Sequence, residues 1–197
     1  MTFQYFFFDT YIGYFLQMIP VVLLTAVVYA VLRKRYLKKQ GRAVNKSAEV
    51  CRLLFVCWLT GLVALTVVPS NLWNNMWYFL FYHMPSGAEL RLFTFQYNFL
   101  PTFVGRFGTE NLGNIIMFVP MGILYPLIRE NVNWKRMLGT GFALSACIEL
   151  IQPIMGRSFD VNDLILNTFG AMAGFALLWA ARKIISKCTA KNKKVGE

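Results

Sequence analysis

Sorted into hydrophobic and polar positions alone, the chain falls into apolar blocks about one bilayer long, each closed by basic residues, a proline or a turn. The first block runs from about Tyr11 to Leu32 and contains Pro20, a kink that neighbouring helices in a membrane can accommodate. The second covers about Leu53 to Val68 and stops at Pro69. The third covers about Asn111 to Ile128, the fourth about Met137 to Ile154, and the fifth about Leu164 to Ala181. This pattern predicts an all-α fold: a polytopic transmembrane bundle of five spans, forming one domain over residues 1–197.

Within so apolar a chain the costly polar groups are not scattered. Glu149 and Gln152 sit three apart at the end of the fourth block and share a helix face. Asp160, Asp163, Asn167, Gly170 and Gly174 follow at alternating spacings of three and four, which draws one stripe down the fifth helix. Arg157 lies in the turn between. Asn111 and Asn114 open the third block, and Phe118, Gly122 and Tyr125 continue their face.

At about 1.5 Å of rise per residue, Glu149 lies about 20 Å from Arg136, in the outer third of a core roughly 30 Å thick. Asn167 is then only about 6 Å below Asp163. The pattern thus predicts that three helices present polar side chains at one depth. An ionised carboxylate there costs on the order of 2.5–3.5 kcal/mol, so Glu149 must be protonated, paired or turned to a wet cavity. One reading makes Glu149, Gln152, Asn114 and Asn167 interhelical hydrogen-bonding glue, with Gly122, Gly170 and Gly174 as close packing contacts. The other makes Glu149, Arg157 and Asp163 a functional pocket, since glue rarely needs three charged groups. Asp160 also suits a helix N-cap, and Asp163 a first-turn acid.

Charge sets the orientation. Of the 20 Lys and Arg, all but Arg91, Arg106 and Arg157 fall in segment 33–52, in 129–136 or in the tail 182–197. The positive-inside rule makes that side cytoplasmic, with the amino terminus outside and the carboxyl terminus inside. Topology and attraction to anionic lipids therefore account for the net charge of +11, and no nucleic-acid partner is expected. The outer segment 69–110 carries only Glu89, Arg91, Arg106 and Glu110 as charges but is crowded with Trp, Tyr and Phe, the composition of an interfacial or re-entrant piece. The 4 Cys lack paired spacing, so neither a disulfide framework nor a zinc site is expected. No basic region precedes the first apolar block, so that block reads as a retained span rather than a signal peptide. His83, lying among aromatics, reads as an interfacial polar tip.

Several segments resemble the VanZ-like family of bacterial membrane proteins. They are Asn114-Ile-Ile-Met-Phe118-Val-Pro120-Met-Gly122, Glu149-x-x-Gln152 with Arg157, Asp163-x-x-x-Asn167-x-x-Gly170-x-x-x-Gly174, and Asn98-Phe99-Leu100-Pro101-Thr-Phe103. The resemblance covers residues 98–181. It implies a multi-pass protein of the bacterial cytoplasmic membrane and a role in resistance of Gram-positive bacteria to lipid-bearing glycopeptide antibiotics such as teicoplanin. It implies no established reaction and no cofactor.

Two function classes follow. In the first, an outward pocket binds a lipid-linked envelope precursor or the lipoglycopeptide itself, with Arg157 and Arg106 meeting its anionic group and Gln152, Asn114, Asn167 and Asp160 as further contacts. In the second, the protein is a membrane-embedded hydrolase or transferase acting on a lipid-linked substrate, with Glu149 as general acid/base and Asp160 and Asp163 orienting it; their use to hold a hard divalent cation is disfavoured by so thin a ligand set. A transporter is less favoured, because the five blocks show no internal repeat. Oligomeric state is not legible in the pattern.

Overall fold

The computed structural model of this protein describes residues 3–41, 45–84, 87, 89, 91–103, 105 and 107–195. Its secondary structure is helical apart from two short strands: α1 (Phe3–Asp9), α2 (Tyr11–Gln40), α3 (Lys46–Thr66), α4 (Ser70–Tyr82), β1 (Tyr97–Asn98), α5 (Thr109–Ile128), α6 (Trp134–Ile151), β2 (Phe159–Asp160) and α7 (Val161–Val195). A helix covers all or most of each of the five apolar blocks. Among the described residues, four helical stretches are long and apolar enough to cross a membrane: Ile12–Gln40, Lys46–Thr66, Thr109–Ile128 and Val161–Thr189. The helix over the fourth block, α6, is not among them. Its 18 residues include Lys135, Arg136 and Glu149, which dilute its apolar character.

Two helices run on past their apolar blocks, while α3 and α6 stop at Thr66 and Ile151, short of theirs. Helix α2 continues past Leu32 through the basic residues to Gln40, where Gly41 closes it in the left-handed region at φ 59°. Helix α7 likewise continues through its basic tail to Val195. Lys and Arg are good helix formers, and a cation in the last turn complements the helix dipole, so the helices do not end where their apolar character does. Asn45 caps α3, its side chain accepting from the Ala48 N–H at 3.3 Å. In the first turn of α3, Glu49 receives Arg33 of α2 in a bidentate pair at 2.8 and 2.9 Å and also bonds Arg52, which ties α2 to α3 at their basic ends.

The described residues form two compact units, Met1–Leu100 with Ala146–Val161, and Pro101–Ser145 with Asn162–Glu197. In the first, Thr10 caps α2 by accepting from the Gly13 N–H at 3.0 Å. A β-carbon at Gly13 would lie 2.3 Å from the Phe7 carbonyl, so α1 and α2 approach at backbone distance. Gln17, fully buried, donates to that same carbonyl at 2.7 Å and to Asn74 of α4 at 3.3 Å. Helix α4 docks through its indoles: Trp77 donates to the Gln17 carbonyl and Trp73 to the Ala64 carbonyl, each at 3.0 Å. The Trp77 ring meets Phe7 edge-on and stacks on Phe81. Its other side leaves Phe79 and Leu80 more than half exposed. The aromatic segment 69–110 thus begins as an amphipathic helix of 13 residues, too short to cross a bilayer. His83 ends it in the left-handed region, edge-on to Phe79.

In the second unit the three helices meet closely. A β-carbon at Gly122 of α5 would lie 2.1 Å from the Ala171 carbonyl. One at Gly170 would lie 2.2 Å from the Ile115 carbonyl, and one at Gly174 2.1 Å from the Val119 carbonyl. Helices α5 and α7 therefore touch backbone to backbone along a row of small residues. Gly141 of α6 faces Ala171 of α7 across 3.0 Å, measured to the β-carbon it lacks.

Candidate functional site

The site in the first unit is built on the carboxyl end of α3. A helix leaves its last carbonyls without intrahelical partners, and within a membrane each must be satisfied by protein. Here the Val63 carbonyl takes the N–H groups of Val67 and Val68. The Ala64 carbonyl takes the Trp73 indole, the Leu65 carbonyl takes Arg157 Nη1 at 3.2 Å, and the Thr66 carbonyl takes Gln152 Nε2 at 3.0 Å. Gln152 and Arg157 are thereby fixed on a helix to which neither belongs.

The turn carrying Arg157 is held just as closely. The Arg157 N–H donates to the Gln152 carbonyl at 2.9 Å. Gly156 sits at φ 79°, and a β-carbon there would lie 1.7 Å from the Arg91 carbonyl, so only glycine fits. Segment 91–98 runs beside the turn: the Phe93 N–H donates to the Ile154 carbonyl at 3.1 Å and the Phe159 N–H to the Gln96 carbonyl at 2.9 Å. Strands β1 and β2 continue this as a parallel pair, Tyr97 opposite Phe159 and Asn98 opposite Asp160. Beneath lies Glu149, 1% exposed, whose Oε2 accepts the Asp160 N–H at 2.9 Å.

These supports frame an open cleft of about 700 Å³. Ser70 and Asn71 at the start of α4, Glu89, Arg91 and Arg157 line it. Helix α4 has no side-chain N-cap bond, so its amino-terminal N–H groups and the positive end of its dipole are presented there. Asn71 is turned aside, donating to the Glu89 carbonyl at 3.0 Å. Arg91 pairs loosely with Glu89 at 3.4 Å, an exposed contact of little energetic weight. Arg157 has no carboxylate partner among the described residues, and Nη1 alone is engaged by a backbone carbonyl. The arrangement suits an anion: one uncompensated guanidinium, a second held weakly, and a helix amino terminus.

The remaining sequence-predicted residues lie in the second unit, apart from Arg106, which falls outside the described residues. Asn114 of α5 donates to the Asp163 carboxylate of α7. Asn167, 3% exposed, donates to Ser145 of α6 at 3.0 Å, while its Oδ1 has no hydrogen-bond partner among the described residues. Asn162 accepts the Thr102 N–H at 2.7 Å and donates to the Thr102 hydroxyl at 3.1 Å, anchoring the chain that enters from Pro101. No cluster of three or more His, Cys, Asp or Glu suited to a metal occurs among the described residues.

Sequence reasoning passed over Ser70, Asn71, Arg91, Ser145 and Asn162. Arg91 carried a signal, being one of only three basic residues assigned to the outer side. Ser145 carried none, since a lone serine in an apolar helix reads as filler.

Among the described residues, four apolar helices of spanning length, with the last carbonyls of α3 satisfied by protein groups, define a helical membrane protein. A family model described as VanZ/LLP1 matches residues 53–183, and the chain belongs to that family. Protein VanZ of Enterococcus faecium is 29% identical over 109 residues, which cover 48% of this chain and 67% of that relative. No solved structure matches.

Proposed function

We propose that this protein crosses the bacterial cytoplasmic membrane five times, with its amino terminus outside and its carboxyl terminus inside. We further propose that it contributes to lipoglycopeptide resistance of the teicoplanin type by holding an anionic, lipid-anchored envelope molecule or the antibiotic itself in an outward cleft. The observation that carries this is the cleft beside the α4 amino terminus, which Arg157 lines without a carboxylate partner among the described residues. Membership of the VanZ/LLP1 family and the likeness to Protein VanZ support the resistance role. In this reading α6 is the fifth crossing. Its 18 residues reach about 27 Å at 1.5 Å each, and its three charges lie in its first and last turns.

Glu149 takes a positioning role here. It is buried, accepts a backbone N–H and does not line the cleft, a geometry that favours binding over a hydrolase or transferase with Glu149 as general acid/base. Asp163, bonded to Asn114, takes an equivalent role between α5 and α7.

The test is antibiotic susceptibility in a Gram-positive host, comparing teicoplanin with a glycopeptide that lacks a lipid tail. Arg157→Lys should lose most of the protection at unchanged membrane expression, because an ammonium cannot both cap Leu65 and present a planar fork. Glu149→Gln should keep it, since the amide oxygen still accepts the Asp160 N–H. Loss in Glu149→Gln with normal expression would instead establish proton chemistry, and no protection by the native chain would remove the resistance role.

A further inference from the structure

A second cleft, of about 340 Å³, opens on the membrane-spanning helices of the same unit. Val21 of α2, Thr60, Val63 and Val68 at α3, and Trp73 of α4 line it. Its polar atoms are already spent: the Thr60 hydroxyl donates to the Val56 carbonyl at 2.9 Å, and the Trp73 indole donates to Ala64. What remains is an apolar trough with no group that would hold water. It lies on two helices whose outward residues, including Leu23, Leu24 and Val63, are exposed and apolar. On a membrane span such a surface meets hydrocarbon.

The trough and the basic cleft are lined by consecutive residues, Val68 belonging to one and Pro69 to the other. Trp73 walls the trough one turn beyond Ser70 and Asn71, which border the cleft. The same α3 terminus serves both, since its Ala64 carbonyl fixes Trp73 and its Leu65 carbonyl fixes Arg157. An anion site continuous with a hydrocarbon site is complementary to a lipid, charge at one end and chain at the other.

We propose that the two clefts form one lipid site: a phosphate headgroup lies against Arg157, Arg91 and the α4 amino terminus, and one acyl chain descends past Val68 and Trp73 into the trough between α2 and α3. This deepens the binding function proposed above and rests on it. It also assigns the chain to the α2–α3 face rather than to the exposed aromatics of the outer segment.

The experiment uses the full chain in phosphatidylcholine nanodiscs doped with a phosphatidylglycerol carrying a diazirine late in one acyl chain. Phosphatidylcholine bearing the same diazirine is the comparison, and mass spectrometry locates the labelled residues after irradiation. The anionic probe should label residues 59–68 and Trp73 roughly tenfold more than the zwitterionic one, the ratio expected from about one charge-assisted contact. The double variant Arg91→Gln/Arg157→Gln should abolish that preference. Val63→Trp, which fills the trough, should abolish labelling there, whereas Val28→Trp, adding the same bulk on α2 outside the trough, should not. Equal labelling of the trough by both probes would overturn the proposal, since the trough would then hold ordinary surrounding lipid. A headgroup preference that depends on the arginines but labels other residues, unmoved by Val63→Trp, would overturn the acyl route and leave the anion cleft standing. Absence of any headgroup preference would overturn both.

Discussion

Arg157 illustrates how one side chain can serve structure and ligand together. Its Nη1 caps the Leu65 carbonyl while the residue lines the cleft. A guanidinium has five donors in a fixed plane, so bonding one carbonyl leaves others available. The turn that carries it depends on Gly156, where a positive φ and the approach of the Arg91 carbonyl coincide. Gly156→Ala should therefore cost about 3 kcal/mol or more from backbone strain and overlap together. Thermal unfolding of the detergent-solubilised protein measures this, and an unchanged midpoint would show that segment 91–98 can move away freely. Of the polar site residues, Glu149, Gln152, Arg157 and Asp163 stand out in sequence by being charged or amide-bearing beside apolar blocks. Asn114, the partner of Asp163, stands out in the same way, but the other three partners do not, because the carbonyls of Leu65 and Thr66 and the Asp160 N–H are backbone groups that every residue has.

Between elements, two different contacts recur. The carboxyl end of α3 is closed by side chains from α4 and from the turn after α6, while α5 and α7 are joined through glycines without polar help at those points. The glycine contacts make a graded prediction. Gly170→Ala and Gly174→Ala place a methyl within about 2 Å of a facing carbonyl and should each destabilise by about 1–3 kcal/mol. Gly113→Ala in α5 and Gly139→Ala in α6 have nothing within 4 Å and should be neutral or stabilise by up to about 1 kcal/mol. Detergent thermal-shift midpoints of the four variants check the contrast. A common response in all four would mean that helix propensity, not contact, decides. The periodic spacing of Gly170 and Gly174 was visible in the sequence, but their facing carbonyls, Ile115 and Val119, are ordinary apolar positions of α5.

For the whole molecule, the proposed five-crossing topology turns on α6, which the apolar pattern includes and its length and charge make marginal. Reporter insertions after Asn131, after Arg157 and at the carboxyl terminus decide it. The expected result is an internal reporter at Asn131 and at the end of the chain, and an external one at Arg157. Matching sides for Asn131 and Arg157 would show that α6 does not cross. Salt should leave this result untouched, because orientation is set as the chain inserts, whereas attraction of the basic tail to anionic lipid is screened.

The sequence by itself determined the helical class, the positions of the apolar blocks, the family resemblance and the residues whose chemistry is costly in lipid. Each of these is written in local periodicity and composition, which the bilayer enforces strongly. Only the tertiary structure decided that α2 and α7 run on through their basic segments and that segment 91–98 forms a two-residue ladder with the turn beyond α6. It also decided that an arginine and a glutamine are spent on the end of α3. Those outcomes depend on backbone groups meeting across long stretches of chain, and a backbone carbonyl leaves no mark in the pattern of side chains.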